Sequence, residues 1–325
     1  MEDYKYKLSI IIPMYNAEKY IANCLNSILN SDLPKGEYEV LIINDGSTDN
    51  GPQIAQEYVS KRDNFTYLTQ ENQGQSVARN LGINRCHGEY IWCVDSDDII
   101  CSDFKTPLDL LSCNSYDIIA FQLRIENEIG KFVRMECTQP LLPHNTPLSG
   151  RNAIISGYSP SSVCALWIRR QYIFDNDLFF KAGITHQDVE LSYRLFASAK
   201  QVFFTNNAPY IYLLHSNSTS QSIKPDKKIK YLSDDIIVYQ AFKALANQNK
   251  EDYDLSMTIE KRAQNVLFSL VFSLFCHRKE WKSLGINQAV IDKLKENGLY
   301  PLRGPFDSWG KKLASLLLNN ERVLT

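Results

Sequence analysis

Along residues 8–94 two apolar patterns take turns. Residues 8–12 read as one apolar run, as expected of a strand covered on both faces. In residues 17–29 the apolar side chains fall at Tyr20, Ile21, Cys24, Leu25, Ile28 and Leu29. That spacing predicts a helix, with Asn16 as a candidate N-cap. Residues 38–43 predict a second strand, and Ile54, Ala55, Tyr58 and Val59 mark a second helix. A third strand (65–69), a third helix (75–84) and a fourth strand (90–94) follow. Such alternation predicts an α/β fold with a parallel sheet and right-handed crossovers.

In open sheets of this kind ligands bind outside the carboxyl ends of the strands. Four loops fall there: Pro13-Met14-Tyr15-Asn16, Asn44-Asp45-Gly46-Ser47, Glu71-Asn72-Gln73-Gly74 and Asp95-Ser96-Asp97-Asp98. Further on, two strand-like runs in residues 117–135 surround Asn127-Glu128-Ile129-Gly130, which predicts a hairpin. Residues 163–168 are another apolar run, 185–196 look helical, and 202–204 and 210–214 look like short closing strands. After Ser220 the texture changes. Lys224-Pro225-Asp226-Lys227-Lys228 is a charged joint, and helical patterns follow at 229–246, 255–276 and 309–318. The expected domains are therefore 1–221 and 222–325, with a boundary near residue 222.

Composition narrows the classes. The chain has 325 residues, 44% hydrophobic and 11% aromatic, enough for a large core. A net charge of -2 argues against a nucleic-acid partner, which calls for a basic surface. The longest apolar stretch, residues 266–276, holds two serines and is about half a membrane span, so it reads as a buried helix. Residues 1–7 are charged and 8–13 are too short for a secretory apolar region, so a cytoplasmic location is expected. The 8 cysteines include no Cys-x-x-Cys pair, which argues against zinc and for reduced core thiols. Asn64 and Asn217 open Asn-x-Thr triplets, which carry no meaning in a cytosolic chain.

Four features carry chemistry. Residues two apart on an extended segment point the same way, so Asp95 and Asp97 can converge on a hard cation such as Mn²⁺ or Mg²⁺. The alternative is that an acidic run simply marks a turn. Asp45 can accept the imide N–H of a uracil, or can form an Asx-turn ahead of a helix cap. In Asn72-x-Gly74-x-x-x-Ala78-Arg79-Asn80-x-Gly82, Arg79 suits a diphosphate clamp, because its guanidinium is always charged and forks toward phosphate oxygens. It can equally be a salt bridge on a helix. Gly74 lets a ligand approach the backbone, or opens the turn. Asp188, in His186-Gln187-Asp188-Val189-Glu190, can take the proton of an attacking sugar hydroxyl, with His186 as the second candidate base. The other reading of Asp188 is an acidic group complementing a helix dipole.

Taken in order, these motifs resemble the family 2 glycosyltransferases, inverting, nucleotide-sugar-dependent enzymes of the GT-A fold. The matched stretches are Ile11-Ile12-Pro13-Met14-Tyr15-Asn16, Ile43-Asn44-Asp45-Gly46-Ser47-Thr48-Asp49, residues 72–82, and Gly88-Glu89-Tyr90-Ile91-Trp92-Cys93-Val94-Asp95-Ser96-Asp97-Asp98. The resemblance spans residues 8–104 fully, extends more loosely to about 220, and stops there. It implies a GT-A (Rossmann-like), mostly parallel sheet flanked by helices, with a C-terminal helical extension. The nucleotide-sugar half would be 8–104 and the acceptor half 105–221.

The resemblance also implies roles. Pro13, Tyr15 and Asn16 would line the nucleotide pocket, Asp45 would bind the base, and Arg79 would sit near uracil and diphosphate. Asp95 and Ser96 would border the nucleotide sugar, with Asp95 shared between ribose and metal and Asp97 the main ligand of Mn²⁺ or Mg²⁺. Asp188 would be the general base, although Gln187 stands where the family commonly has Glu. Trp167 would border the acceptor, and His215 would order a loop over the diphosphate. The implied reaction is one displacement with inversion, from a UDP-sugar to a saccharide or lipid-linked saccharide, in assembly of a bacterial surface polysaccharide or glycan.

Two rivals remain. A sugar-phosphate nucleotidyltransferase would carry a Gly-rich basic loop after the first strand, where this chain has Pro13-Met14-Tyr15-Asn16-Ala17. A non-catalytic nucleotide-sugar-binding protein would have lost Asp95, Asp97 or Asp188. The stretch Trp309-Gly310-Lys311-Lys312-Leu313 onward has two readings. It can lie peripherally on the inner face of a membrane that carries the acceptor. It can also pack against the catalytic domain or a second subunit in a homodimer.

Overall fold

The computed structural model describes residues 4–103, 109–110, 116–137, 142, 146–215, 224–304, 306 and 308–324. Cys113, Asn217 and the boundary expected near residue 222 lie outside them. The chain forms two compact units. One comprises Met1–Gly183 and Gln187–His215, the other Ile184–His186 and Ser216–Thr325.

The first unit opens with the alternation that the apolar pattern predicts. Strand β1 (Tyr6–Met14) leads to helix α1 (Ile21–Leu29), β2 (Tyr38–Asp45), α2 (Gly51–Val59), β3 (Phe65–Gln70), α3 (Gln75–Arg85) and β4 (Gly88–Cys93). Strands β2 and β4 pair parallel to β1 on either side, and β3 pairs parallel to β2. β1 is central, which is why Leu8, Ile10, Ile11 and Ile12 are all buried. α3 lies so close that a Cβ at Gly82 would run into Ile11.

α1 begins later than the pattern suggests. Its N-cap is Tyr20, without a side-chain cap, and a turn occupies residues 17–20. Asn16 is therefore not the cap. It sits at φ 51°, a left-handed conformation that Asn tolerates better than most residues. Its Oδ1 accepts the Thr48 N–H at 2.8 Å, so it ties the β1 loop to the β2 loop.

The rest of the unit adds β5 (Ile99–Ile100), β6 (Ile118–Ala120), β7 (Leu123–Asn127), β8 (Phe132–Glu136), α4 (Gly150–Ile155), β9 (Leu166–Arg169), α5 (Arg170–Asp175), α6 (Gln187–Ser198), β10 (Val202–Phe204) and β11 (Tyr210–Leu214). The apolar run at 163–168 divides. Ser162 caps a single 3₁₀ turn, Val163–Ala165, before β9 begins. The main sheet runs β10-β6-β9-β4-β1-β2-β3. It is parallel except at β9, which pairs antiparallel with both β4 and β6. A smaller sheet runs β5-β11-β7-β8, and β7 and β8 form the expected hairpin. This is the mostly parallel, helix-flanked architecture of the GT-A fold.

The second unit is helical: α7 (Pro225–Gln248), α8 (Tyr253–Cys276), α9 (Arg278–Trp281), α10 (Ile286–Glu296), α11 (Trp309–Leu318) and α12 (Glu321–Leu324). Its core gathers Leu267, Leu270, Val271 and Leu274 of α8 with Val290, Ile291 and Leu294 of α10, and with Leu318 and Leu324. The apolar stretch at 266–276 thus belongs to a helix that buries one side, Leu267, Leu270, Val271 and Leu274 among it, while Phe272 and Cys276 are exposed. α10 is marked in the sequence only by Ile286, Val290, Ile291 and Leu294, in an otherwise polar stretch. Within this unit Asp234 accepts the Thr185 N–H at 2.8 Å and pairs with Lys230 at 2.9 Å. His186 is held here too, its Nε2 2.9 Å from the Tyr231 carbonyl and 3.5 Å from Asp235.

Among the described cysteines, Cys24, Cys86, Cys93 and Cys164 are buried, whereas Cys101 and Cys137 are half-buried and Cys276 is exposed. No helix among the described residues is long and apolar enough to cross a membrane.

Candidate active site

The site is assembled at the carboxyl ends of β1, β2 and β4. Past Pro13 and Met14 of β1, Tyr15 is exposed and Asn16 bridges toward β2. At the end of β2 two neighbours divide the work. Asn44 makes the local turn, its Oδ1 accepting the Ser47 N–H at 2.9 Å. Asp45 reaches across to the β3–α3 loop. Its Oδ1 accepts from Gln70 Nε2 at 2.7 Å and from the Gln73 N–H at 2.9 Å, and its Oδ2 accepts from the Gly74 N–H at 2.9 Å. Neither expected local role, Asx-turn nor cap, falls to Asp45. Gly74 is required by conformation: its φ is 92°, and nothing lies within 4 Å of where a Cβ would be.

The run after β4 is held by the smaller sheet. Tyr210 of β11 donates its hydroxyl to Asp98 at 2.5 Å and accepts the Asp95 N–H at 3.2 Å. The Leu213 N–H donates to the other Asp98 oxygen at 2.9 Å. Asp98 is thereby buried with a donor on each oxygen, and burial, followed by the charges of Asp97 and Asp95, pushes its pKa well up. Asp97 stays half-exposed and meets His215 Nε2 at 2.8 Å. Burial and the Asp95 charge raise its pKa as well, against the pull of His215. The His215 ring packs on Tyr20, centroids 4.8 Å apart. The segment that follows His215, residues 216–223, lies outside the described residues. Carboxylate oxygens of Asp95, Asp97 and Asp98 lie within 4.8 Å of one another.

Arg79 stands behind this cluster and is only 1% exposed. It donates to Asp95 at 2.7 Å and to Asp188 at 2.5 Å, and its guanidinium lies 5.0 Å from the centre of the Phe180 ring. Burial opposes its charge, but Asp188 and Asp95 outweigh that and drive its pKa further up. Asp188, on the first turn of α6, has its pKa raised by burial despite the neighbouring Arg79. A second line of bonds runs beside the first. Gln75 Nε2 donates to Asp95 at 2.7 Å, Gln187 Nε2 donates to Gln75 Oε1 at 2.6 Å, and the Ser76 hydroxyl donates to Gln187 Oε1.

Two expected placements change. Trp167 does not border an open pocket: it is fully buried, 5.8 Å from the Trp92 ring and 6.3 Å from that of Phe121, because antiparallel β9 packs it into the sheet core. Arg79 is enclosed between two carboxylates rather than presented to solvent. Three residues of the site have no assigned role in the sequence reading. Tyr210 and Gln75 carry no local signal, and Asp98 differs from its acidic neighbours only through partners more than one hundred residues away.

A sequence profile described as glycosyl transferase family 2 matches residues 9–175. The chain belongs to that family. The putative glycosyltransferase EpsH of Bacillus subtilis is 28% identical over 297 residues, 90% of this chain and 82% of EpsH. TarS of Staphylococcus aureus, a poly(ribitol-phosphate) β-N-acetylglucosaminyltransferase, is 29% identical over 209 residues, 63% of this chain and 35% of TarS. The crystal structure of TarS 1–349 with UDP-GlcNAc superposes with a TM-score of 0.59 at 21% identity, covering 98% of this chain and 82% of that one. The mannosyltransferase PcManGT of Pyrobaculum calidifontis, solved with GDP-Man and Mn²⁺, gives 0.55 at 14% identity, covering 99% and 88%. At those identities the likeness shows the shared fold. In this family 2 glycosyltransferase the strand-end carboxylates therefore stand on a GT-A framework.

Proposed function

We propose that the chain transfers a sugar from a nucleotide-sugar, foremost a UDP-sugar, to an acceptor hydroxyl in one displacement with inversion. The observation that carries this reading is the Arg79 bridge. One buried guanidinium joins Asp95 of the acidic cluster to Asp188 at the start of α6. A base kept at a set distance from the phosphate side of the site is what an in-line displacement between them needs.

The donor set fits Mn²⁺ or Mg²⁺. Asp95 and Asp97 offer hard carboxylate oxygens with open positions, and His215 stands against Asp97, whereas both oxygens of Asp98 are engaged by protein donors. Bound there, a divalent cation would neutralise charge building on the departing nucleoside diphosphate.

The chain's own residues do the remaining work. Asp45 has about four acceptor sites, three of them engaged, and Oδ2 keeps one for the imide N–H of a base. Pro13, Tyr15 and Asn16 line the nucleotide, Asp95 borders its ribose, and Ser96 borders the nucleotide-sugar. Asp188 takes the acceptor proton, and its raised pKa brings it closer to the operating pH of a general base. Arg79 is a positioning residue in this reading, since its N–H groups are turned to Asp95 and Asp188. Residues 1–221 are the transferase domain. The acceptor is a saccharide or a lipid-linked saccharide of a bacterial surface polysaccharide or glycan, reached from the cytoplasm. UDP-GlcNAc bound to TarS supports the UDP donor, and Mn²⁺ in PcManGT supports the cation.

A panel of UDP- and GDP-sugars with Mn²⁺ or Mg²⁺, read by thermal shift and by donor hydrolysis, tests the reading. Stabilisation and slow hydrolysis with at least one UDP-sugar are expected. A protein that no nucleotide-sugar stabilises is not the transferase described here.

A further inference from the structure

We propose that the outer face of α11 is a docking surface for an anionic lipid bilayer. This helix is apolar on two opposite sides. Its inner side, Ala314 and Leu318 with Ser315 between, joins the core of the helical unit. Its outer side carries Trp309, Leu313, Leu316 and Leu317, which are 77%, 53%, 71% and 50% exposed. At ~100° per residue these four fall within about 100° of arc, so they form one stripe. A single exposed leucine is ordinary on a soluble surface; a stripe of four large apolar side chains on one helix marks an interaction face.

Charge decides between occupants. Residues 216–325 hold 17 of the 35 Lys and Arg but 12 of the 37 Asp and Glu, whereas residues 1–215 hold 18 and 25. The part of the chain that bears α11 is therefore +5 and the rest -7, an asymmetry that favours an anionic surface as partner. A second copy meeting the same face would set +5 against +5. Lys312 flanks the stripe and is exposed, placed to meet headgroup phosphates. Lys311 is turned inward, its Nζ donating to Asn265 at 2.6 Å and lying 5.6 Å from the centre of the Phe268 ring. Trp309, at the end of the stripe, suits the boundary between headgroups and acyl chains, where one edge of the indole stays wet. The helix would lie in the plane of the interface, as its ten residues are far too few to span.

The surface stands apart from the sugar-transfer reading, and its test involves no transfer. The full chain is floated with vesicles of phosphatidylcholine alone, and with phosphatidylcholine containing phosphatidylglycerol, at low and high salt. It is expected to rise with the anionic vesicles at low salt and to stay below with the neutral ones. The double variant Leu316→Glu, Leu317→Glu replaces two exposed side chains, so its circular dichroism and Tm stay those of the parent. Its bound fraction is expected to fall by roughly tenfold or more. A parent protein that stays at the bottom with anionic vesicles overturns the proposal, as does a double variant that floats equally well. A concentration-dependent dimer abolished by the double variant would assign the face to a second copy and overturn it too.

Discussion

The two acidic corners of the site are built on opposite plans. At the end of β2, Asp45 is met by three neutral donors, two of them backbone N–H groups of the neighbouring loop. At the end of β4, three carboxylates lie within 4.8 Å; among the described residues Arg79, which they share with Asp188, is their cationic partner, and the ring of His215 is hydrogen-bonded to Asp97. The first corner is set without a ligand: three hydrogen bonds fix its loop and leave one acceptor site on Oδ2. The second holds more negative charge than its partners balance, and Asp97 and Asp98 both show raised pKa values for that reason as well as for burial. Burial of an acid is thus no mark of function here. The unbalanced charge supports the proposed cation site, since a bound cation would relieve it without the protonation that the raised pKa values favour.

The sharpest way to break this contrast is Asp97→Asn. Removing a ligand of the proposed cation removes electrostatic stabilisation worth several kcal/mol, so kcat/KM should fall by ~10⁴-fold or more. The fall should be accompanied by loss of the Tm increase that Mn²⁺ gives the parent. Without Mn²⁺, the variant should be no less stable than the parent at neutral pH. Asp97 has a raised pKa in the folded state, so its charged form opposes folding as pH rises through that value, and the neutral amide removes the opposition. A variant that keeps the Mn²⁺ shift would end the assignment.

Asp188→Asn should cost ~10²–10⁴-fold in kcat, the usual range for a general base, and less than Asp97→Asn. Its signature is the pH profile. Because burial raises the Asp188 pKa, activity of the parent should decline on acidification at a pH above the ordinary aspartate range near ~3.9. The decline should be absent from whatever activity the variant retains. Turnover measured across pH for both proteins decides it, and an unchanged acidic limb in Asp188→Asn would remove this residue from the base role.

Asp45→Asn tests the other corner and should act on stability. The new amide can keep one acceptor oxygen only, so an N–H of Gln73 or Gly74 faces an NH₂ where a half-buried hydrogen bond was made. Losing a hydrogen bond to a charged acceptor costs ~1.5–3 kcal/mol, to be read as a lower urea midpoint at constant m. Mn²⁺ should still raise its Tm, in contrast to Asp97→Asn. Equal behaviour of the two variants would erase the distinction between the corners.

How far the sequence reaches follows the same division. Strand-helix alternation through residue 94 shows in local periodicity, because each element's own side chains determine which face is buried. The loops at strand ends follow from that alternation alone. Asp95 and Asp97 do fall in one cluster, but on a turn closed by the Asp98 N–H to the Asp95 carbonyl at 3.1 Å and not on the extended segment that the spacing argument assumes. What pairs with what was not legible. Arg79 meets Asp188 across 109 positions and Tyr210 meets Asp98 across 112, and no local pattern reports such neighbours. The resemblance implies that Trp167 borders the acceptor, but β9 enters the sheet antiparallel between β4 and β6 and turns it into the core beside Trp92. Asn16 reads as a cap because it precedes an apolar helical pattern, yet its side chain is taken by Thr48 of the neighbouring loop.

Gln187 gives the smallest expected effect and the most selective one. A carboxylate at Asp95 only accepts, so Gln75 must turn its NH₂ toward it and its carbonyl toward position 187. Position 187 must then donate to Gln75 and accept from the Ser76 hydroxyl, which an amide does and an ionised carboxylate does not. This gives a physical reason for an amide at position 187, where the family resemblance implies Glu. Gln187→Glu sets two acceptors face to face, and kcat should drop by about tenfold, one hydrogen bond's worth. Protonation of the introduced carboxyl restores the donor, so the ratio of variant to parent activity should rise as pH falls through that carboxyl's pKa. A ratio flat in pH would mean that Gln187 only fills space, and that Asp95 is held by Arg79 alone.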